Sequence, residues 1–270
     1  MRIVFAILLL MLYIAPHPTR AAAPGDIEVY IEDMTWPEIR DRMRQGSTTV
    51  IVPTGGTEQN GPHLITGKHN YVVYATSGEI ARRLGNALVA PVLAYVPEGR
   101  ISPPEGHMRF PGTISLGQST FAAVLEDTAR SFKQEGFKLI CFVGDHGGSQ
   151  ETQAQVADKL NAEWHGQGVH VLQVKNYYAA NGQKEWVQSA KLSSGNPEAH
   201  GGFLDTAEMM ARREGGVRKD KLAAYKEEDY ATLGVSGSPM GATADAGRKA
   251  LSLKVEAAVT QIRNAQADRD

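Results

Sequence analysis

"TFAAVLEDTARSFKQEGFKLICFVGDHGGSQ", Thr120 to Gln150, decides the fold. Its first half sets Phe121, Val124, Leu125, Ala129 and Phe132 on one stripe and stops at Gly136, the spacing and terminator of an amphipathic helix. Its second half, "KLICFVG", is an unbroken apolar run that ends in a Gly-rich turn. Runs of this kind mark strands covered on both faces, as in parallel sheets. A helix that feeds directly into a doubly covered strand is the repeating unit of an α/β protein.

The same alternation extends both ways. Upstream, "WPEIRDRMRQG" reads as a helix with Pro37 in its first turn, "TTVIVP" as a buried strand, "YVVYATSGEIARRLG" as a helix and "ALVAPVLAYV" as a second strand region. Downstream, "ETQAQVADKLNAEW" is the next helix, "VHVLQVKNYY" the next strand, and "DTAEMMARR" opens a further helix. The order predicts an α/β fold with a mostly parallel central sheet and helices on both sides. In such sheets ligands gather at the carboxyl ends of the strands. With no internal repeat and no long linker, residues 24–270 read as one domain.

Residues 1–23 read as a signal peptide: Arg2, an apolar run from Ile3 to Ala15, then small residues ending at Ala23. The run is short of the roughly 20 residues that span a bilayer, so no retained membrane span is expected. Export to a periplasm or the exterior is expected instead, with a mature chain starting near Ala23 or Pro24. Formal net charge is −2 with the charges dispersed, which excludes the basic footprint of a nucleic-acid binder. The lone Cys141 cannot form an internal disulfide and sits in an apolar strand, where a buried, inert thiol is expected.

Chemistry-bearing residues cluster in four loops. "PTGGTEQNGPHLITGKHN" (53–70) carries Glu58, Asn60, His63 and His69; "GDHGGS" carries Asp145 and His146; "EGHMRFPGTISL" carries His107 and Arg109; "GNPEAHGGFLDTAEMMA" carries Glu198, His200 and Asp205. Carboxylate and imidazole together are the ligand set of zinc, manganese or iron. Asp205 fits equally well as a helix cap, and His107 and Arg109 as solvated loop residues. "GDHGGS" lacks the Lys-Ser/Thr ending of a phosphate loop and the spacing of a dinucleotide site, and Ser149 has no nucleophile elbow around it.

Taken in order, "GGTEQNGPHLITGKHN", "GHMRFPGTISL", "GDHGGS", "HGGFLDTAEMM" and "GVSGSPMGATADAGRKAL" resemble the creatininase family, from about Trp36 to the C-terminal helix. The resemblance implies a three-layer α/β/α fold, a metal-dependent hydrolase of cyclic or linear amides, and a homo-oligomer. The family's first motif is similar to Glu-Gln-His-Gly-Pro-His-Leu-Pro-Leu-Gly-Thr-Asp, in which the Glu, the first His and the final Asp bind metal. Here Glu58 matches the Glu, Asn60 stands at the first His, and His69 stands at the Asp that bridges two ions. His63 matches the second, usually non-ligand, histidine. By the same resemblance His146 is a metal ligand, His200 the proton carrier and Asp205 the counterpart of a second acid that binds metal or moves a proton.

Because one imidazole nitrogen normally binds one ion, His69 in place of a bridging carboxylate implies a single-ion site. Glu58, His69 and His146, with Asp205 near, would hold one divalent metal, zinc in the first instance, with manganese or iron open. Metal-activated water would then open a non-peptide amide, lactam or lactone of a small molecule. His107, Arg109, Asn60, His63 and Asp145 are the groups expected around the substrate. The departures at Asn60 and His69 also keep open a fold that has lost hydrolysis and serves as a binding or structural module.

Overall fold

The computed structural model describes residues 28–268, so the expected signal peptide, residues 1–23, lies outside the described residues. Among the described residues no helix is long and apolar enough to cross a membrane. The strands are β1 (Thr49–Thr54), β2 (Ala87–Val89), β3 (Leu139–Gly144) and β4 (His170–Gln173). The helices are α1 (Trp36–Arg44), α2 (Lys68–Leu84), α3 (Gln118–Glu135), α4 (Gln150–Glu163), α5 (Lys175–Tyr178), α6 (Gln183–Ser189), α7 (Phe203–Arg212), α8 (Tyr230–Leu233) and α9 (Ala244–Ala267).

The strands pair in parallel in the order β2-β1-β3-β4. Because side chains alternate along a strand, successive residues feed two different cores. Ile51, Leu139, Cys141 and Val143 meet Val73 and Ile80 of α2 and Val255, Val259 and Ile262 of α9. Val50, Val52, Ile140 and Phe142 meet Phe121, Leu125 and Phe132 of α3 and Val156 and Leu160 of α4. The result is the expected α/β/α sandwich.

Two elements differ from the sequence reading. The helix expected from Tyr71 begins at Lys68, since the residues ahead of its apolar stripe fit a helix without contributing to the stripe. His69 therefore rides on a helix rather than in a loop. The second strand is only three residues long, because Pro91 has no N–H to give a ladder.

Chain direction places the site. From β1 the chain crosses through α2 to β2 on one face, and from β3 through α4 to β4 on the other. The loops after the paired ends Thr54 and Gly144 therefore diverge. A crevice opens between them, at the point where an open α/β sheet binds its ligands.

Candidate metal centre and active site

Glu58 follows β1 and is the hub. Its Oε1 lies 2.8 Å from His69 Nε2, and its Oε2 lies 3.1 Å from His107 Nε2 and 3.3 Å from His146 Nε2. Glu98, at the exit of the β2 segment, places Oε2 2.9 Å from His146 Nε2. Its backbone N–H donates to Ser115 Oγ, which pins the segment. A Cβ on Gly56 would stand 2.6 Å from Glu98 Oε1, so only glycine there lets this carboxylate approach the cluster. Glu58, Glu98, His107 and His146 each offer a ligand atom, all within 4.8 Å of one another.

The donor set fits a divalent cation. Glu58 Oε2 and both Glu98 oxygens are buried and, among the described residues, make no aligned hydrogen bond despite the nearby imidazoles, an expensive condition for carboxylates unless a cation joins them. The second carboxylate oxygen adds to the case. Glu58 Oε1 faces His69 Nε2, while His69 Nδ1 lies 2.7 Å from Asp145 Oδ2. An imidazole whose Nδ1–H is held by a carboxylate presents a bare Nε2, the arrangement common behind metal-ligating histidines. A bare nitrogen against a carboxylate oxygen requires a proton or a metal between them. His146 Nδ1 accepts from the Gly148 N–H, so ligation through Nε2 requires that contact to give way.

The electrostatics agree. Burial opposes protonation of His146, yet the carboxylates of Glu58 and Glu98 outweigh it and raise its pKa to about 10. Burial likewise works against ionised Glu58, but His146 and His69 hold its pKa well below the usual value. The carboxylates therefore favour positive charge at this point, carried either by a second proton on His146, which would displace the Gly148 contact, or by a cation in its place. His107, by contrast, is pushed down to about 4 by burial, and His200 is lowered by the same cause. Both rings are neutral at pH 7, with centroids 4.5 Å apart.

Several residues singled out in the sequence have other partners, although Asp145 and Asp205 line the same cleft. Asp205 is committed rather than free to ligate or carry a proton: Oδ1 pairs with buried Lys68 at 2.7 Å, and Oδ2 accepts from the Gly201 N–H. His63 is buried, donates from Nε2 toward the Gly201 carbonyl, and does not line the cleft. Asn60 donates to the Glu58 carbonyl and is likewise walled off from the cleft. Arg109 is exposed and lies over the Phe110 and Tyr230 rings. Asp145 sits behind His69 and is held from below by Lys254 of α9, whose Nζ is 2.7 Å from Asp145 Oδ1 and 3.2 Å from Glu208 Oε2. The cleft that joins these groups has a volume of ≈ 1070 Å³.

Sequence reasoning missed Glu98, Lys68, Lys254 and Glu208. For Glu98 a signal existed, since "AYVPEG" ends a strand region at the functional sheet edge. Lys254 and Glu208 lie within helical stripes and carry no such signal.

Fold and site together define an α/β protein with a carboxylate–imidazole cluster fit to hold a metal ion at its topological switch point. The chain belongs to the creatininase family, whose family model, described as creatinine amidohydrolase, matches residues 32–262. It is 31% identical over 231 residues to the mycofactocin precursor peptide peptidase of Mycolicibacterium smegmatis, covering 82% of this chain and 87% of that protein. A manganese creatininase superposes with a TM-score of 0.73 at 23% identity, over 88% of this chain and 99% of the other. A creatininase variant of Zn-Zn type gives 0.72 at 24% identity, over 89% and 99%. These structural likenesses establish the shared fold, and the two creatininases carry Mn and Zn respectively.

One consequence concerns acid stability of the metal-free protein. His63, His107 and His200 all have folded pKa values lowered by burial, so their contribution is intact above the unfolded value of about 6.5 and is lost as pH falls. For His107 the loss runs down to about 4. The urea midpoint is expected to fall as pH drops below about 6.5, and His63→Gln should make that slope shallower.

Proposed function

We propose that this creatininase-family chain hydrolyses an amide bond in a short peptide or a peptide-sized amide, using one divalent ion. The carrying observation is the convergence of Glu58, Glu98 and His146, with His69 behind Glu58, at the head of a cleft of ≈ 1070 Å³. Small-molecule sites commonly measure about 300–1,000 Å³, so the cleft exceeds what a single small lactam needs. The peptide peptidase relative supports the same choice over the small cyclic or linear non-peptide amides, or lactones, expected from the sequence.

A divalent ion in this cluster would supply Lewis acidity toward a carbonyl and toward water. The chain supplies the rest. Glu58 and Glu98 would anchor the ion, and Asp145 orients His69 through Nδ1. His200, neutral because buried, takes a proton from the attacking water at Nδ1 and delivers it to the departing nitrogen. His107 holds the carbonyl oxygen from Nε2. With Asp205 paired to Lys68, His200 is the proton carrier left at the site. Export and self-association belong to this reading as well.

The test is metal analysis of purified protein together with a panel of short peptides and lactams. We expect about one ion per chain, turnover of peptides, and a loss of about 10²–10⁴ in kcat for His200→Ala with metal retained. A metal-loaded protein inert across the panel would instead favour a binding module, the reading that the departures at Asn60 and His69 support.

A further inference from the structure

Gln59 lies between the two neutral histidines, and its amide has one possible orientation. Oε1 accepts from the Gly61 N–H at 3.0 Å, so the group facing His107 is the Nε2 amine, 3.0 Å from His107 Nδ1. An amide nitrogen only donates. His107 Nδ1 must therefore be bare, and in a neutral ring the proton resides on Nε2, the atom 3.1 Å from Glu58 Oε2. His107 thus presents an N–H to the site. The Tyr230 hydroxyl, 3.3 Å from the same Nδ1, is compatible as a second donor.

The backbone of the same residue sets the other ring. His200 Nε2 lies 2.9 Å from the Gln59 carbonyl, an acceptor only, and 3.2 Å from the Gln59 Nε2 amine, a donor only; the shorter contact assigns the proton to Nε2 and leaves Nδ1 bare. That Nδ1 faces Glu58 Oε1 across 3.8 Å. One residue therefore makes one imidazole a donor and its neighbour an acceptor toward a common point. Its buried amide is clamped on a further side by Gly234, where a Cβ would stand 2.0 Å from Gln59 Oε1. Gly234 has φ +68°, a left-handed conformation that glycine adopts freely.

We propose that Gln59 is a positioning residue that divides the labour of the site: its side-chain amide fixes His107 as hydrogen-bond donor, and its carbonyl fixes His200 as proton acceptor. The inference rests on the hydrolytic reading for its purpose, although the tautomers themselves do not. It also removes His107 from the ligands of the ion, because Nε2 keeps its proton.

The experiment is long-range ¹H–¹⁵N correlation of histidine-labelled, zinc-loaded full-length protein, comparing wild type with Gln59→Glu and Gln59→Leu. Glu at position 59 keeps the acceptor for Gly61 but turns a second acceptor toward His107. We expect wild-type His107 with a bare Nδ1 and protonated Nε2, and inversion of that tautomer in Gln59→Glu. Gln59→Leu should lose the fixed tautomer. His200, whose shorter contact is to the Gln59 carbonyl, should keep a protonated Nε2 in both variants, because each removes the side-chain amine beside it, and the thermal unfolding midpoint serves as the folding control. Peptide turnover should fall about 10²-fold in Gln59→Glu, with zinc content retained. A protonated Nδ1 on wild-type His107, or no change of His107 in Gln59→Glu, overturns the proposal. The expected tautomers in a protein that hydrolyses nothing would overturn the hydrolytic reading and leave the assignment of the rings standing.

Discussion

Glu58→Gln is expected to strip the purified protein of its divalent metal and to lower amide hydrolysis by about 10³-fold. The substitution keeps shape and removes the one charge shared by every imidazole contact at the hub. Glu58 Oε1 meets His69, and Oε2 meets both His107 and His146. A neutral amide can bind a cation through its carbonyl alone and places an amine against the remaining nitrogens. Lewis-acid assistance amounts to several kcal/mol of transition-state stabilisation, and about 4 kcal/mol is close to three decades of rate. Metal per chain by elemental analysis and turnover on the peptide panel read the two effects. Glu98→Gln should behave similarly, since both Glu98 oxygens are buried without hydrogen bonds. Wild-type metal content in Glu58→Gln would mean that the ion sits elsewhere.

Lys254→Met is expected to be the most destabilising single change distant from the ligands, at about 3–5 kcal/mol. The ammonium is buried with Asp145 and Glu208, which are buried too. Each pKa records the pairing. Burial works against charge on all three, yet Lys254 is held well above its usual value and Asp145 below its own, while Glu208 is raised because burial prevails. Removing the cation leaves Asp145 as a buried anion held by the Tyr177 hydroxyl and His69. For a chain of this size the loss corresponds to a melting temperature lower by roughly 6–20 °C. Lys254→Arg keeps the charge and should lose less. An unchanged urea midpoint in Lys254→Met would show that the three groups do not act as a unit.

How much of this was legible beforehand depends on where each signal resides. The sheet was readable because "TTVIVP" and "KLICFVG" are continuous apolar runs and "TFAAVLEDTARSFKQEG" has clean helical spacing. Those patterns report burial directly. Glu58 and His146 were readable because they stand just after strands, where α/β folds place chemistry. Asp205 misled because a carboxylate in a helix's first turn looks the same whether it ligates, caps or pairs. Lys68, which neutralises it, reads in sequence as an ordinary surface charge. Gln59 carried no signal at all, since the work of an amide depends on which of its two ends meets which neighbour. Glu208 and Lys254 were invisible for a related reason: a charged residue on a helix is normally solvated, and only tertiary packing turned these inward.

The floor of the site joins distant parts of the chain. Glu58 comes from the loop after the first strand, Asp145 from the end of the third, and Lys254 from the last helix described. No local segment holds enough of them to bind an ion or move a proton. A partly unfolded copy therefore carries every reactive group without the arrangement that joins them, and a copy cut short of the last helix lacks Lys254 as well. On the proposed peptide-hydrolysing reading, this would make catalytic competence a certificate of completed folding, issued only when the final helix docks.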